Sequence, residues 1–153
     1  ESGMVWSVGI ARAAKLLNFK VRYISIGEDP TDGDLDFYKK YANDRAMLVA
    51  KELIDEMPRI GIEWEKRNMP FEELLSYVDK KSVPVVLLNW YVIRNKEGYH
   101  GHFVPVVGYD EKNVYIHNPG LLNAMAFMPI EKELFLKAWE SKGTDKDAII
   151  ISK

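Results

Sequence analysis

Tyr99-His100-Gly101-His102-Phe103-Val104-Pro105-Val106-Val107-Gly108-Tyr109-Asp110, continued by Glu111-Lys112-Asn113-Val114-Tyr115-Ile116-His117-Asn118-Pro119-Gly120, reads as two strands joined by a short polar turn. Phe103 to Val107 is apolar and rich in β-branched residues, which suits a strand buried on both faces. Asp110 to Asn113 is charged and turn-prone, and Val114-Tyr115-Ile116 resumes the strand. All three histidines of the chain lie at the ends of this hairpin. A neutral imidazole shuttles protons near neutral pH when a partner on its second nitrogen orients it. Asn118, at the end of the second strand, is a candidate for that partner of His102.

The pattern Gly101-His102-Phe103-Val104-x-Val106-x-Gly108-Tyr109, a turn, then Val114-Tyr115-x-x-Asn118-Pro119 resembles the papain-like cysteine peptidases, in the branch that includes bacteriocin-leader peptidases. Gly3 to Phe19, Phe37 to Tyr41 and Gly143-Thr144-Asp145-Lys146-Asp147 are closer still to the branch labelled guanylyl cyclase domain-containing proteins. The resemblance implies an α+β fold, a mainly antiparallel sheet with helices packed on it. It also implies catalytic roles for two residues, His102 as general base and Asn118 as its orienter. In that family the nucleophilic Cys lies on a helix upstream of the part matching Val5-Trp6-Ser7. Residues 1–153 are therefore expected to be one domain lacking its N-terminal helix. An apolar strip beside His102 would then be open to burial by a second copy of the chain.

Composition narrows the function classes. The chain has 153 residues, 47% of them hydrophobic, enough for one domain with a real core. Its formal net charge is −2 with both signs interspersed, so nucleic acid is not an expected partner. The longest apolar run, Val83 to Leu88 resuming at Trp90 to Ile93, is too short to span a bilayer, and cytoplasm is the default compartment. Cysteine is absent, so these residues hold no thiol nucleophile, disulfide or thiolate metal site, and alone are expected to be inert in thiol chemistry.

Upstream of the hairpin, Met4 to Leu17 reads as a helix burying Trp6, Ile10, Ala13, Ala14 and Leu17, capped by Ser2 or Gly3 and ended by Asn18. Small residues at Gly9, Ala11, Ala13 and Ala14 invite close approach of another element. Lys20 to Ile26 alternates as a strand, and Gly27 to Gly33 is a turn-rich loop without calcium-loop spacing. Asp34 to Met57 is a long helical signal divided near Asn43-Asp44, with Leu35, Tyr38, Tyr41 or Ala42, Arg45, Leu48, Val49, Glu52 and Leu53 recurring at helical spacing. Pro58 closes it, Ile60 to Glu65 reads as a strand, and Pro70 opens a helix to about Lys80. Val83 to Tyr91 is expected to be the central strand. After Gly120 the chain reads as loop, then a helix over Glu131 to Trp139 and a strand over Asp147 to Ser152.

The hairpin register decides which partner faces His102. With a two- or four-residue connection Asp110 sits opposite Asn113, and His102 shares a face with Tyr115 and His117. A three-residue connection, Glu111-Lys112-Asn113, puts Asn118 on that face instead, and it needs a left-handed residue at its last position, which Asn113 suits. This second register and a His102–Asn118 pair are the expectation.

The resulting expectation is a cysteine-peptidase-like hydrolase acting on peptide or amide bonds of a peptide or protein substrate, without cofactor or metal. Three alternatives stand beside it. The first is a peptide-binding module that does not cut. The second is a zinc module, which would need His100, His102 and His117 to converge. The third, disfavoured, is a nucleotide cyclase, for which no Gly-rich phosphate loop is present and Asp145 and Asp147 read as a charged turn. Ser7 near a helix start is a poor nucleophile candidate, since nothing around it resembles a strand–turn–helix elbow. Asn89 and Trp90 are candidates to line a cleft.

Overall fold

The computed structural model describes residues 5–27, 40–120 and 123–153. Helix α1 (Ser7–Leu16) leads into β1 (Lys20–Ser25); α2 (Asp44–Glu56) and a 3-10 turn (Met57–Ile60) follow, then β2 (Glu63–Lys66). Next come α3 (Phe71–Ser76), β3 (Ser82–Asn89), the one-turn α4 (Trp90–Ile93), β4 (Gly101–Tyr109) and β5 (Asn113–Asn118). β6 (Met125–Glu131), α5 (Lys132–Trp139) and β7 (Ala148–Ser152) complete the described elements.

The seven strands form one sheet in the order β2-β1-β7-β3-β4-β5-β6, antiparallel except for the β1–β2 pair. This is the α+β architecture expected from the sequence. The parallel pair requires a crossover, which α2 supplies. β7, the last of the described strands, lies between β1 and β3, and its Ala148-Ile149-Ile150-Ile151 run is covered on both faces. Ala148 and Ile150 enter a core with Val86, Leu88, Val104, Phe135 and Trp139 under α3 and α5. Ile149 and Ile151 enter a second core with Val8, Ala11, Tyr23 and Met57 under α1 and α2. Alternation along the strand thus feeds two cores from one segment.

Several local expectations shift. α1 buries Ser7, Val8, Ala11 and Ala14, whereas Ala13 is exposed and Leu17 is 71% exposed, so the buried stripe is rotated from the expected one. α2 likewise buries Ala46 and Ala50, leaving Arg45, Leu48 and Glu52 outside. Both rotations have one cause. The helices approach each other across small residues, with the Trp6 indole donating to the Ala46 carbonyl at 3.1 Å and an added Cβ at Gly9 meeting Leu53 at 3.7 Å. The caps proposed at Ser2 or Gly3 lie outside the described residues. Asn18 does end α1, in left-handed conformation at φ 66°, with Phe19 N–H closing back on Ala14. Asn43 caps α2 at the division expected there, its side chain accepting from Ala46 N–H at 2.9 Å, while residues 34–39 of the expected long helix and most of the Gly27–Gly33 loop lie outside the described residues.

β2 begins at Glu63 rather than Ile60, because Pro58 lies in the first positions of a 3-10 turn that starts at Met57 and that Gly61 ends at φ 72°. α3 stops at Ser76, and Pro70 is its N-cap rather than its first residue. Asp79 then turns the chain by accepting from Lys81 and Ser82 N–H. β3 ends at Asn89, where α4 takes Trp90 and Tyr91 out of the strand. The stretch after Gly120, expected to be loop, contains β6 at the sheet edge; Pro129 opposes Tyr115 there, and Phe127 sits at φ 52°. Asp147, expected in a charged turn, is buried.

The hairpin register is corrected in an instructive way. Asp110 N–H donates to the Asn113 carbonyl and Tyr109 opposes Val114, so the turn has the register set aside above, and Asn113 is not left-handed. Asp110 holds the turn by accepting from Lys112 and Asn113 N–H at 2.8 and 2.7 Å and from the Tyr115 hydroxyl at 2.6 Å. A β-bulge at Val107 then shifts the pairing, so that Val106 opposes Ile116. Beyond the bulge, His102, Val104 and Val106 share a face with Ile116 and Asn118.

The Tyr115 hydroxyl and, behind it, the two turn amides hold the Asp110 carboxyl down to about 2. The unfolded value is about 3.9, so this contribution is present above pH 4 and is lost as pH falls through 2. We expect denaturant titrations to show stability declining over that window in the wild type, with this part of the decline absent in Asp110→Asn.

Candidate functional site

Where β3 ends, the Asn89 side chain organises the return of the chain. Its oxygen accepts from Tyr91 N–H at 3.1 Å and from His100 N–H at 3.2 Å, and its amide donates to the Gly98 carbonyl at 3.1 Å. Trp90 N–H donates to the His100 carbonyl at 2.7 Å. These bonds seat Gly101 opposite Asn89 at the start of β4. Gly101 leaves room there for Tyr99, since a Cβ would stand 2.7 Å from the Tyr99 hydroxyl and 3.3 Å from Leu87 and would push the Tyr99 ring aside.

His102 follows, half-buried, with the Trp90 ring tilted against it at a centroid distance of 4.7 Å. Its Nε2 lies 2.9 Å from Asn118 Oδ1, so the pair expected from the sequence is formed. Asn118 is buried and held at both ends of its amide: Oδ1 also accepts from Gly120 N–H at 3.0 Å, and Nδ2 donates to the Asn123 carbonyl at 2.7 Å. Those two backbone groups fix which end of the amide is oxygen. An oxygen facing Nε2 requires the proton on Nε2, which leaves the lone pair on Nδ1. Among the described residues Nδ1 has no hydrogen-bond partner.

His102 lines a cleft of about 520 Å³. Val5 and Ile10 form one wall at the start of α1; Leu87 and Phe103 form the sheet side. Tyr41 and Tyr99 contribute a tilted ring pair at 5.3 Å, and Pro119 and His100 complete the rim. No Lys, Arg, Asp or Glu is among the described lining residues. Tyr99 is held by donating to the Gly143 carbonyl at 2.7 Å, and burial first, then Asp145 and Asp147, push its phenol well above the usual range.

The other histidines are engaged elsewhere. His100 is exposed and stacks on Tyr91 at 5.5 Å, and His117 Nδ1 accepts from Phe127 N–H at 3.1 Å. Among the described residues no three His, Asp or Glu side chains are grouped to hold a metal ion, so the convergence that a zinc module requires is not formed. Ser7 is buried and donates to Asp147. Tyr41, Tyr99, Gly120 and Asn123 were not marked by the sequence as site residues. Their roles depend on contacts distant along the chain or on backbone groups, which leave no local pattern.

The engaged amide generates a direct expectation. In nitrogen-detected NMR, His102 should be predominantly the Nε2–H tautomer. Asn118→Ala should lose that bias, while Asn118→Asp, which retains an acceptor, should keep it.

No helix among the described residues is long and apolar enough to cross a membrane. No curated protein matches the chain. A family model does match, over residues 2–151, which is nearly the whole length. The chain therefore belongs to the family described as guanylylate cyclase.

Proposed function

We propose that this chain carries the base half of a cysteine-peptidase-like hydrolase site, completed by a thiol from outside these 153 residues. The observation that carries the reading is the His102–Asn118 bond at 2.9 Å, which leaves Nδ1 of a residue lining an uncharged cleft without a hydrogen-bond partner among the described residues. In this reading Nδ1 takes the thiol proton and the thiolate sulfur attacks a peptide or amide carbonyl carbon. The imidazolium then returns its proton to the leaving amine as the C–N bond breaks, and water releases the acyl group. Asn118 accepts from Nε2–H throughout and so holds the ring in place, and Trp90 covers one side of the imidazole. A peptide lying across Tyr41, Tyr99 and Phe103 suits the uncharged lining. Without the thiol, the same cleft would bind such a peptide and not cut it.

The family description supports a second reading, guanine nucleotide cyclisation. That chemistry needs cationic groups around a triphosphate. The described cleft lining offers none, which is why the hydrolase is preferred.

The test uses protein expressed from its full native reading frame. It is incubated with a peptide library and, separately, with GTP and magnesium or manganese. The expected result is iodoacetamide-sensitive peptide cleavage, reduced on the order of 10³-fold or more in His102→Ala. Cyclic GMP formation that survives His102→Ala, with no peptide cleaved, would overturn it.

A further inference from the structure

Asp147 stands on the turn entering β7, only 5% exposed, and the hydrolase reading does not use it. Its Oδ2 accepts from the hydroxyl of Ser7, the first residue of α1, and its Oδ1 from the Tyr23 hydroxyl of β1 at 2.9 Å. Its backbone carbonyl accepts from the Trp139 indole of α5 at 3.0 Å. The Gly143–Asp147 loop also holds Tyr99 through the Gly143 carbonyl, and Ile26 N–H through that of Asp145. One short loop is therefore tied to both sides of the His102 cleft, to Tyr99 directly and to the Val5–Ile10 wall through Ser7. α1 has no side-chain cap of its own, so a carboxylate at its first turn also meets the positive end of the helix.

We propose that Asp147 is a positioning residue for the cleft, clamping the first turn of α1 to the sheet by accepting from Ser7 and Tyr23, whether the cleft cuts its ligand or only binds it. Burial pushes the Asp147 carboxyl up to about 7; the Ser7 hydrogen bond opposes this, Asp145 adds to it, and Tyr23 and Ser25 oppose it. The titratable groups near it are Tyr23 from β1, Tyr99 from the segment entering β4 and Asp145 from its own loop. The neighbouring Lys146 gives its ammonium to Glu140 and Asn68. No ion pair to Asp147 is present among the described residues.

The ionised carboxylate accepts from both hydroxyls. Once protonated, one oxygen carries a hydrogen, and a hydroxyl must turn or lose its acceptor. The clamp thus forms as pH rises through about 7. Stability runs the other way. The folded value lies above the unfolded one of about 3.9, so stability falls as pH rises through the window from about 4 to 7 and is level beyond it.

The test is an NMR titration of the 153-residue chain from pH 5 to 9, following amides of Val8 to Ile10, the Tyr99 ring, and α2 amides as a control. A step near pH 7 is expected in α1 and Tyr99 but not in α2. Asp147→Asn should abolish it, and Tyr23→Phe, which removes one donor to the ionised form, should move it to higher pH. A flat α1 response in the wild type, or a step unchanged in Asp147→Asn, would overturn the proposal. Should Asp147→Asn fail to fold, an unmoved step in Tyr23→Phe would do the same.

Discussion

Side chains on a strand alternate faces, so one residue of slippage between β4 and β5 would exchange the β5 residues that share a face with His102. The Asp110 turn alone imposes the pairing that would bring Tyr115 and His117 to its face. Val107, inserted as a bulge, reverses that choice within a few residues. The chain thereby keeps a tight, carboxylate-anchored turn at one end of the hairpin and a His–Asn pair at the other. Bulges are common next to functional sites for this reason, since they re-aim a side chain without lengthening a loop. The face that β5 turns toward His102 inherits its geometry from this local count.

The site has the layered support that a stable imidazole orientation requires. Asn89 seats the backbone entering β4, Gly101 admits the close approach of Tyr99 and Leu87, and Asn118 is itself fixed by Gly120 and Asn123. Each of these residues acts on the position of the next. An amide held by two backbone partners has no rotamer to lose when it accepts from His102, so the bond is preorganised.

How much of this was legible depends on what each residue had to announce. Strands buried on both faces need continuous apolar, β-branched runs, and Val83 to Leu88, Phe103 to Val107 and Ile149 to Ile151 display them. β6 had no such obligation at the edge. Its Met125, Phe127 and Pro129 are exposed, and a Pro with a left-handed neighbour reads as loop. The helix faces were misjudged because close packing selects alanine while hydropathy patterns favour leucine; Ala11, Ala46 and Ala50 are inside and Leu17 and Leu48 outside. The His102–Asn118 pair was legible from strand parity and from the resemblance, although the turn argument for it failed and the bulge restored it. Asp147 was hidden entirely, because a carboxylate in a Gly-Thr-Asp-Lys-Asp turn looks solvated unless its distant hydroxyl donors are known.

The placement of β7 bears on how the molecule is made. Its five residues bridge β1 on one side and β3 on the other, so until they emerge from the ribosome the nascent sheet exists as two halves. Each half ends in an open edge ready to capture another chain. Closure is accordingly a late, long-range event, with β1 waiting through more than a hundred intervening residues for its neighbour. A protein wired this way depends on protection of those edges during synthesis, and loss of the Ala148–Ser152 strand would leave both edges open in a species predisposed to aggregate.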